Sequence, residues 1–230
     1  MMRKEENNID SPARDFLIAV LTLPAAFDSE VDLLEGLLEA GLARLHIRKP
    51  GATAVEIENL LGRLSARWAS RLVLHGSREL ALRYGISQVH GAVELRDGKR
   101  SGGGPFVGAP GVAAAGGSGR VPGAAGMAVS TSVHSWEEFG ALPEGLSYAF
   151  ISPLFDSISK KGYMANKDLL SYDRSGLPCL PVGLGGIGPD TIGVLLQHGW
   201  TGAAVLGAIW DEPGRSVERY KELKQIIDEY

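Results

Sequence analysis

The chain has 230 residues and a formal net charge of −4, so it lacks the overall basic footprint of a nucleic-acid binder. Its 44% hydrophobic and 22% charged residues are an ordinary globular mixture with material for a large core. That length also suits a single α/β barrel. Cys179, the lone cysteine, excludes an internal disulfide and fits a reducing compartment. Inside Leu177-Pro178-Cys179-Leu180 it reads as a structural thiol. The apolar stretch at 16–23 is too short to span a membrane and lacks a convincing cleavage site. The expectation is a soluble, cytoplasmic protein, with residues 1–14 a flexible arm and 15–230 one domain.

Residues 16–21 form a continuous apolar run of strand length, as in a parallel strand covered on both faces. Val31, Leu34, Leu37 and Leu38 then recur at helical spacing, and Gly41 stops that helix. Residues 44–48 read as the second strand. Ile57, Leu60, Leu61 and Leu64 give the next helical stripe, and 71–75 the third strand. A short helix at 79–84 leads to a fourth strand at 87–90. Further strands follow at 127–130, 148–152, 179–184 and 203–206, with the last two helices at 189–198 and 215–229.

Eight strands interleaved with helices predict a closed (β/α)8 TIM barrel, ahead of an open doubly wound sheet. Between Gly98 and Gly126 the sequence holds eleven glycines, with Pro105, Pro110 and Pro122 among them. Such a stretch loses much entropy on ordering and offers little apolar surface in return. It stands where the fourth helix should be, and reads as an irregular, flexible surface loop. A lid over the barrel mouth is the functional alternative.

In a barrel of this kind the chemistry sits at the C-terminal strand ends. After the seventh strand, Gly183-Leu184-Gly185-Gly186-Ile187-Gly188 opens a helix, and paired glycines let backbone N–H groups approach an anion. Gly207 follows the eighth strand. Either loop alone is an ordinary turn, but two in adjacent positions match the recurrent barrel phosphate site. After the sixth strand, Ser157, Ser159, Lys160 and Lys161 supply hydroxyls and ammonium groups suited to phosphate oxygens.

On the second strand His46 and Arg48 share one face, and Arg48 can fork to a phosphate or diphosphate. Ser132 and His134 follow the fifth strand, where His134 can move a proton near neutral pH. Ser135 and Glu138 just beyond it read as a capping box. His75 and His90 also fall at strand ends, but no local ligand spacing supports a metal hydrolase.

Five collinear pieces carry a resemblance. They are Leu45-His46-Ile47-Arg48, Ser132-Val133-His134-Ser135, Ser152-Pro153-Leu154-Phe155 with Ser157, Ser159 and Lys160, Gly183 to Ile187, and Val205 to Ile209. Together they resemble the thiamine phosphate synthase and TenI-like thiazole tautomerase superfamily over nearly the whole chain. In its synthases a pyrimidine diphosphate loses pyrophosphate and the nitrogen of thiazole phosphate captures the cation. Mg2+ with Arg and Lys stabilises the departing charge. The resemblance implies that Arg48, Ser132 and Lys160 face the diphosphate; His46, on the same strand face as Arg48, reads as a further substrate-binding residue. It also implies that Ser157 and Ser159, standing for the family's usual threonines, bind the thiazole phosphate with Gly185, Gly186 and Gly207.

There are departures. The family's Asn-Asp pair after strand three becomes His75-Gly76, and its Arg-Glu-Lys becomes Arg48-Lys49-Pro50. Only Glu94 and Asp97 lie near the second expected aspartate, so they are the candidate metal ligands. The expectation is a thiamine phosphate synthase-like transferase of thiamine biosynthesis. Its partners would be small phosphorylated substrates, with no nucleic acid or membrane and a homo-oligomer left open. The alternatives are a TenI-like tautomerase, needing no cofactor and using His134 as acid and base, and a non-catalytic thiazole-phosphate-binding or regulatory barrel.

Overall fold

A computed structural model describes residues 16–102, 126–156 and 165–230. The arm at 1–14, most of the glycine-rich segment, and Ser157, Ser159, Lys160 and Lys161 lie outside the described residues. The strands are β1 (Leu17–Leu21), β2 (Arg44–Ile47), β3 (Leu72–His75), β4 (Gln88–His90), β5 (Ala128–Val133), β6 (Tyr148–Ile151), β7 (Leu180–Leu184) and β8 (Gly202–Val205). They pair in parallel in chain order, and β8 returns to β1 in the register Val20↔Val205, closing the barrel. The helices are α1 (Glu30–Glu39), α2 (Ala54–Arg63), α3 (Arg78–Arg83), α4 (Trp136–Gly140), α5 (Pro189–Gln197), α6 (Gly207–Trp210) and α7 (Ser216–Asp228). No helix among the described residues is long and apolar enough to cross a membrane.

Local chemistry sets these elements. The α1 stripe is the one read from the sequence, and Leu34, Leu37 and Leu38 are fully buried. Each such leucine contributes about 2 kcal/mol by leaving water. Thr53 and Glu56 form a reciprocal capping box on α2: the Thr53 hydroxyl accepts from the Glu56 amide at 3.2 Å, and the Glu56 carboxylate accepts from the Thr53 amide at 2.7 Å. At α4 the Ser135 hydroxyl accepts from the Glu138 amide at 3.1 Å, as expected. The Glu138 carboxylate, however, reaches the amide of His134 at 2.8 Å rather than that of Ser135.

Two segments differ from the sequence reading. The fifth strand was expected to stop at Ser130, but it runs on because Ser130 through Val133 all pair with β6. The start of the glycine-rich segment is also held in place. Glu94 bridges Arg100, Gly102 bridges Ser132, and the buried Ser101 hydroxyl lies 2.6 Å from that of Thr131. This short hairpin stands against β5, and among the described residues no helix joins β4 to β5.

The core has two parts. A large cluster fills the space between helices and strands, and a small one, built from Ala19, Leu21, Tyr148, Phe150, Val182 and Ala204, lies within the barrel. Those six come from β1, β6, β7 and β8. The strands β2, β4 and β5 instead contribute His46, His90 and Ser130, all buried. The barrel is thus apolar along one half and polar along the other.

Candidate active site

A cavity of about 850 Å³ opens where the strands end. Every strand contributes to it from its C-terminal end or the residues just beyond: Leu21, Arg48, His75, His90, Ser132, Ser152, Leu184 and Leu206. This is the face on which barrels of this architecture carry their chemistry.

Arg48 stands at the rim. Its backbone is latched to the end of β1, since its amide donates to the Thr22 hydroxyl at 2.9 Å and that hydroxyl donates to its carbonyl at 3.1 Å. The next residue, Lys49, turns into the protein. Its ammonium meets Glu30 at 2.5 Å and the Ala25 carbonyl at 3.1 Å, with both charged side chains 4% exposed. Its charge is therefore neutralised locally. Among the described residues no carboxylate pairs with Arg48; Glu58 and Glu79, which line the cavity's outer edge, both pair with Arg83.

Beneath Arg48 the structure brings together three histidines from successive strands. His46 Nδ1 lies 3.0 Å from His75 Nε2, and its Nε2 lies 2.8 Å from the Tyr148 hydroxyl across the barrel. The His75 and His90 rings stack with centroids 4.3 Å apart. His90 sits between the Ser130 and Ser132 hydroxyls at 2.9 and 3.0 Å. Burial holds all three below the ordinary imidazole range; the neighbouring His90 and Arg44 add to this for His46, and His90, His46 and Arg48 for His75. His90 is pushed down to about 3 by burial and then by Arg48. The imidazoles are neutral at physiological pH. Burial also raises the Tyr148 phenol to about 12, so it stays protonated.

This convergence corrects the sequence reading in two respects. His46, expected to touch substrate beside Arg48, is fully buried behind His75 and does not line the cavity. His75 and His90, set aside because they lacked local spacing, come from neighbouring strands paired in register, His75↔His90. Three histidines near the ends of consecutive parallel strands were the available signal. Tyr148 was missed altogether, because a tyrosine opening an apolar strand reads as core.

Ser132 and His134 both line the cavity. The His134 ring is held by the Ser152 carbonyl, 3.0 Å from Nδ1. With Nδ1–H donating there, Nε2 is left as the basic nitrogen.

At the ends of β7 and β8, Leu184 and Leu206 line the cavity; Gly185, Gly186 and Gly207, expected to bind substrate, follow them directly but do not themselves line it. Gly185 and Gly186 have φ of +101° and +62°, which L side chains rarely adopt. A β-carbon on Gly186 would overlap the Asp156 carbonyl, and one on Gly185 would lie 3.0 Å from Pro153 Cα. The loop after β6 is thus seated on these glycines, with the amides of Leu154 and Phe155 donating to the Leu184 and Gly185 carbonyls at 3.0 and 3.1 Å. Thr191 clamps the turn by donating to the Gly186 carbonyl at 3.0 Å and accepting from the Gly188 amide at 2.9 Å. The loops after β7 and β8 are adjacent: a β-carbon on Gly188 would lie 3.2 Å from Ala208 Cβ.

Magnesium takes oxygen ligands in octahedral geometry. Glu94 and Asp97 are exposed and off the cavity, Asp97 binding the Lys99 ammonium at 3.0 Å. At the ends of β3 and β4 the cavity meets imidazoles. The described residues therefore do not fit magnesium.

No family model matches the chain. It is 28% identical over 105 residues to a thiamine-phosphate synthase from Bacillus thuringiensis subsp. konkukian. That match covers 44% of this chain and 46% of the relative, so the chain spans less than half the length of this curated protein. Among solved structures it resembles thiamine phosphate pyrophosphorylase from Bacteroides thetaiotaomicron, at TM-score 0.65 and 25% identity, covering 93% of this chain and 98% of the other. Thiamine phosphate pyrophosphorylase from Pyrococcus furiosus shares the fold at TM-score 0.66 and 17% identity, covering 94% and 98%. With a closed eight-stranded barrel and these similarities, the chain resembles thiamine phosphate synthases in part of its sequence and in its fold.

Proposed function

We propose that this chain is a thiamine phosphate synthase-type transferase acting on small phosphorylated substrates in thiamine biosynthesis. The carbon–oxygen bond of a pyrimidine diphosphate breaks, pyrophosphate leaves, and the ring nitrogen of thiazole phosphate forms the new carbon–nitrogen bond. The observation that carries this reading is Arg48, with no carboxylate partner among the described residues, in one cavity with Leu184 and Leu206, which lead directly into the abutting glycine loops after β7 and β8. Arg48 forks to the departing diphosphate, supplying a fixed positive charge where negative charge develops. The Gly207 and Ala208 amides at the start of α6 take the thiazole phosphate with Gly185 and Gly186. Ser132 adds a hydroxyl beside the diphosphate, and the resemblance assigns Lys160 to the diphosphate and Ser157 and Ser159 to the thiazole phosphate.

The test is to mix full-length protein with both substrates, in parallel with Mg2+, Mn2+, Co2+ and Zn2+. Thiamine phosphate and pyrophosphate are expected in equal amounts. If no product forms with any metal at enzyme concentrations equal to substrate, the proposal fails.

The orientation of His134 favours a second reading, a tautomerase in which Nε2 takes and returns a proton on a thiazole carboxylate phosphate. His134→Ala should then abolish isomerisation of that compound. If it leaves the rate unchanged, His134 is not the base.

A further inference from the structure

We propose that His46, His75 and His90 form a three-imidazole site for a first-row transition-metal dication of the zinc class, with its open position facing the cavity. The candidate ligand atoms of the three already lie within 4.8 Å of one another. A tetrahedral ion with metal–nitrogen bonds of about 2.0–2.1 Å needs them about 3.3 Å apart. The His46–His75 contact is already at 3.0 Å, so small rotations of the rings complete the set.

The surroundings are those that a metal-binding histidine requires. Such a ligand has its second ring nitrogen held by an oxygen, which fixes the tautomer and aims the lone pair. His46 has Tyr148 at 2.8 Å on Nε2, leaving Nδ1 toward His75. His90 has Ser130 at 2.9 Å on Nδ1, leaving its Nε2 on the side of Ser132, which lines the cavity. His75 and His90 also line the cavity, so an ion has a route in from solvent and, once bound, a face toward ligand. Neutral imidazole prefers zinc, cobalt, nickel or copper over magnesium, whose hard oxygen preference this set does not meet.

Arg48 lines the same cavity as His75 and His90, so its guanidinium repels a dication bound there. The dication and the guanidinium flank the same part of the cavity, so an anion such as a diphosphate lowers the repulsion by lying between them. Metal and anion should therefore bind with positive coupling, each tightening the other by the same factor. The metal site itself rests on the histidine geometry alone, not on the reaction proposed above.

The experiment uses metal-stripped full-length protein titrated with Co2+ and with Zn2+, followed by absorption spectroscopy and elemental analysis after dialysis. About one equivalent of Zn2+ per chain is expected, retained in about a hundredfold excess of Mg2+, with Co2+ giving the intense visible bands of a four-coordinate ion. His75→Ala should remove uptake. Tyr148→Phe keeps the three ligands but loses the orienting hydroxyl, and should weaken binding about tenfold to a hundredfold. Circular dichroism reports whether each variant folds; if His75→Ala does not, Tyr148→Phe decides. The proposal is overturned if the wild-type chain takes up no metal, if Mg2+ displaces Zn2+ at equal concentration, or if the folded variants bind as the wild type does. Inorganic pyrophosphate added to the Co2+ complex should shift its spectrum, and no shift overturns the open position.

Discussion

The two walls of the barrel mouth are built from different materials. The wall from β2 to β5 acts through side chains, namely Arg48, His75, His90 and Ser132, with His46 and Tyr148 behind them. The wall from β6 to β8 runs into turns of bare backbone, where the sequence has to keep side chains away and hold φ positive at Gly185 and Gly186. A backbone wall can keep its role while most of its residues change. A side-chain wall changes its chemistry with each substitution. This accounts for a chain that keeps glycine turns after β7 and β8 while the ends of β3 and β4 carry His75 and His90.

The contrast can be tested from both sides. The largest effect is expected at the base of the side-chain wall: Glu30→Ala strands the buried Lys49 ammonium, and should cost about 3–5 kcal/mol in urea unfolding. On the other wall, Gly186→Ala forces a β-carbon into the Asp156 carbonyl from a positive φ. It should lower stability by about 3 kcal/mol and weaken phosphate binding measured by calorimetry. If both properties are unchanged, that wall does not depend on bare backbone.

The third test uses pH. In metal-free protein, the unfolded chain takes up a proton on His90 below about pH 6.5, while the folded chain refuses it until about pH 3. Stability from this group is therefore complete above pH 6.5 and declines as pH falls toward 3, by about 1.4 kcal/mol per pH unit. His90→Gln should flatten the slope of unfolding free energy against pH. The smallest effect is expected for Arg48→Ala, which should weaken pyrophosphate binding about tenfold and leave the melting temperature within a degree or two.

The fold was legible because parallel strands covered on both faces are apolar runs, as at 16–21 and 148–151. Capping signals such as Ser135 with Glu138 also act within a few residues. The extent of β5 was not, since its last residues are strand only because β6 lies beside them. In the site, the place of Arg48 at the cavity rim was readable from its position after a strand. The histidine cluster was not. The residues from His46 to His90 meet only when three strands register, and the reach of Tyr148 to His46 crosses the barrel over 102 residues of sequence.

The Trp210 indole, at the end of α6, donates to the Leu21 carbonyl at 2.7 Å across 189 residues. Leu21 lines the cavity, and α6 begins with the loop that follows β8. The clasp therefore ties the first strand to the last, and neither flank of the pocket is set until both have been synthesised. A nascent chain still lacking β8 has no finished cavity, so ligand capture is an event of late assembly, after the ribosome has delivered the eighth strand.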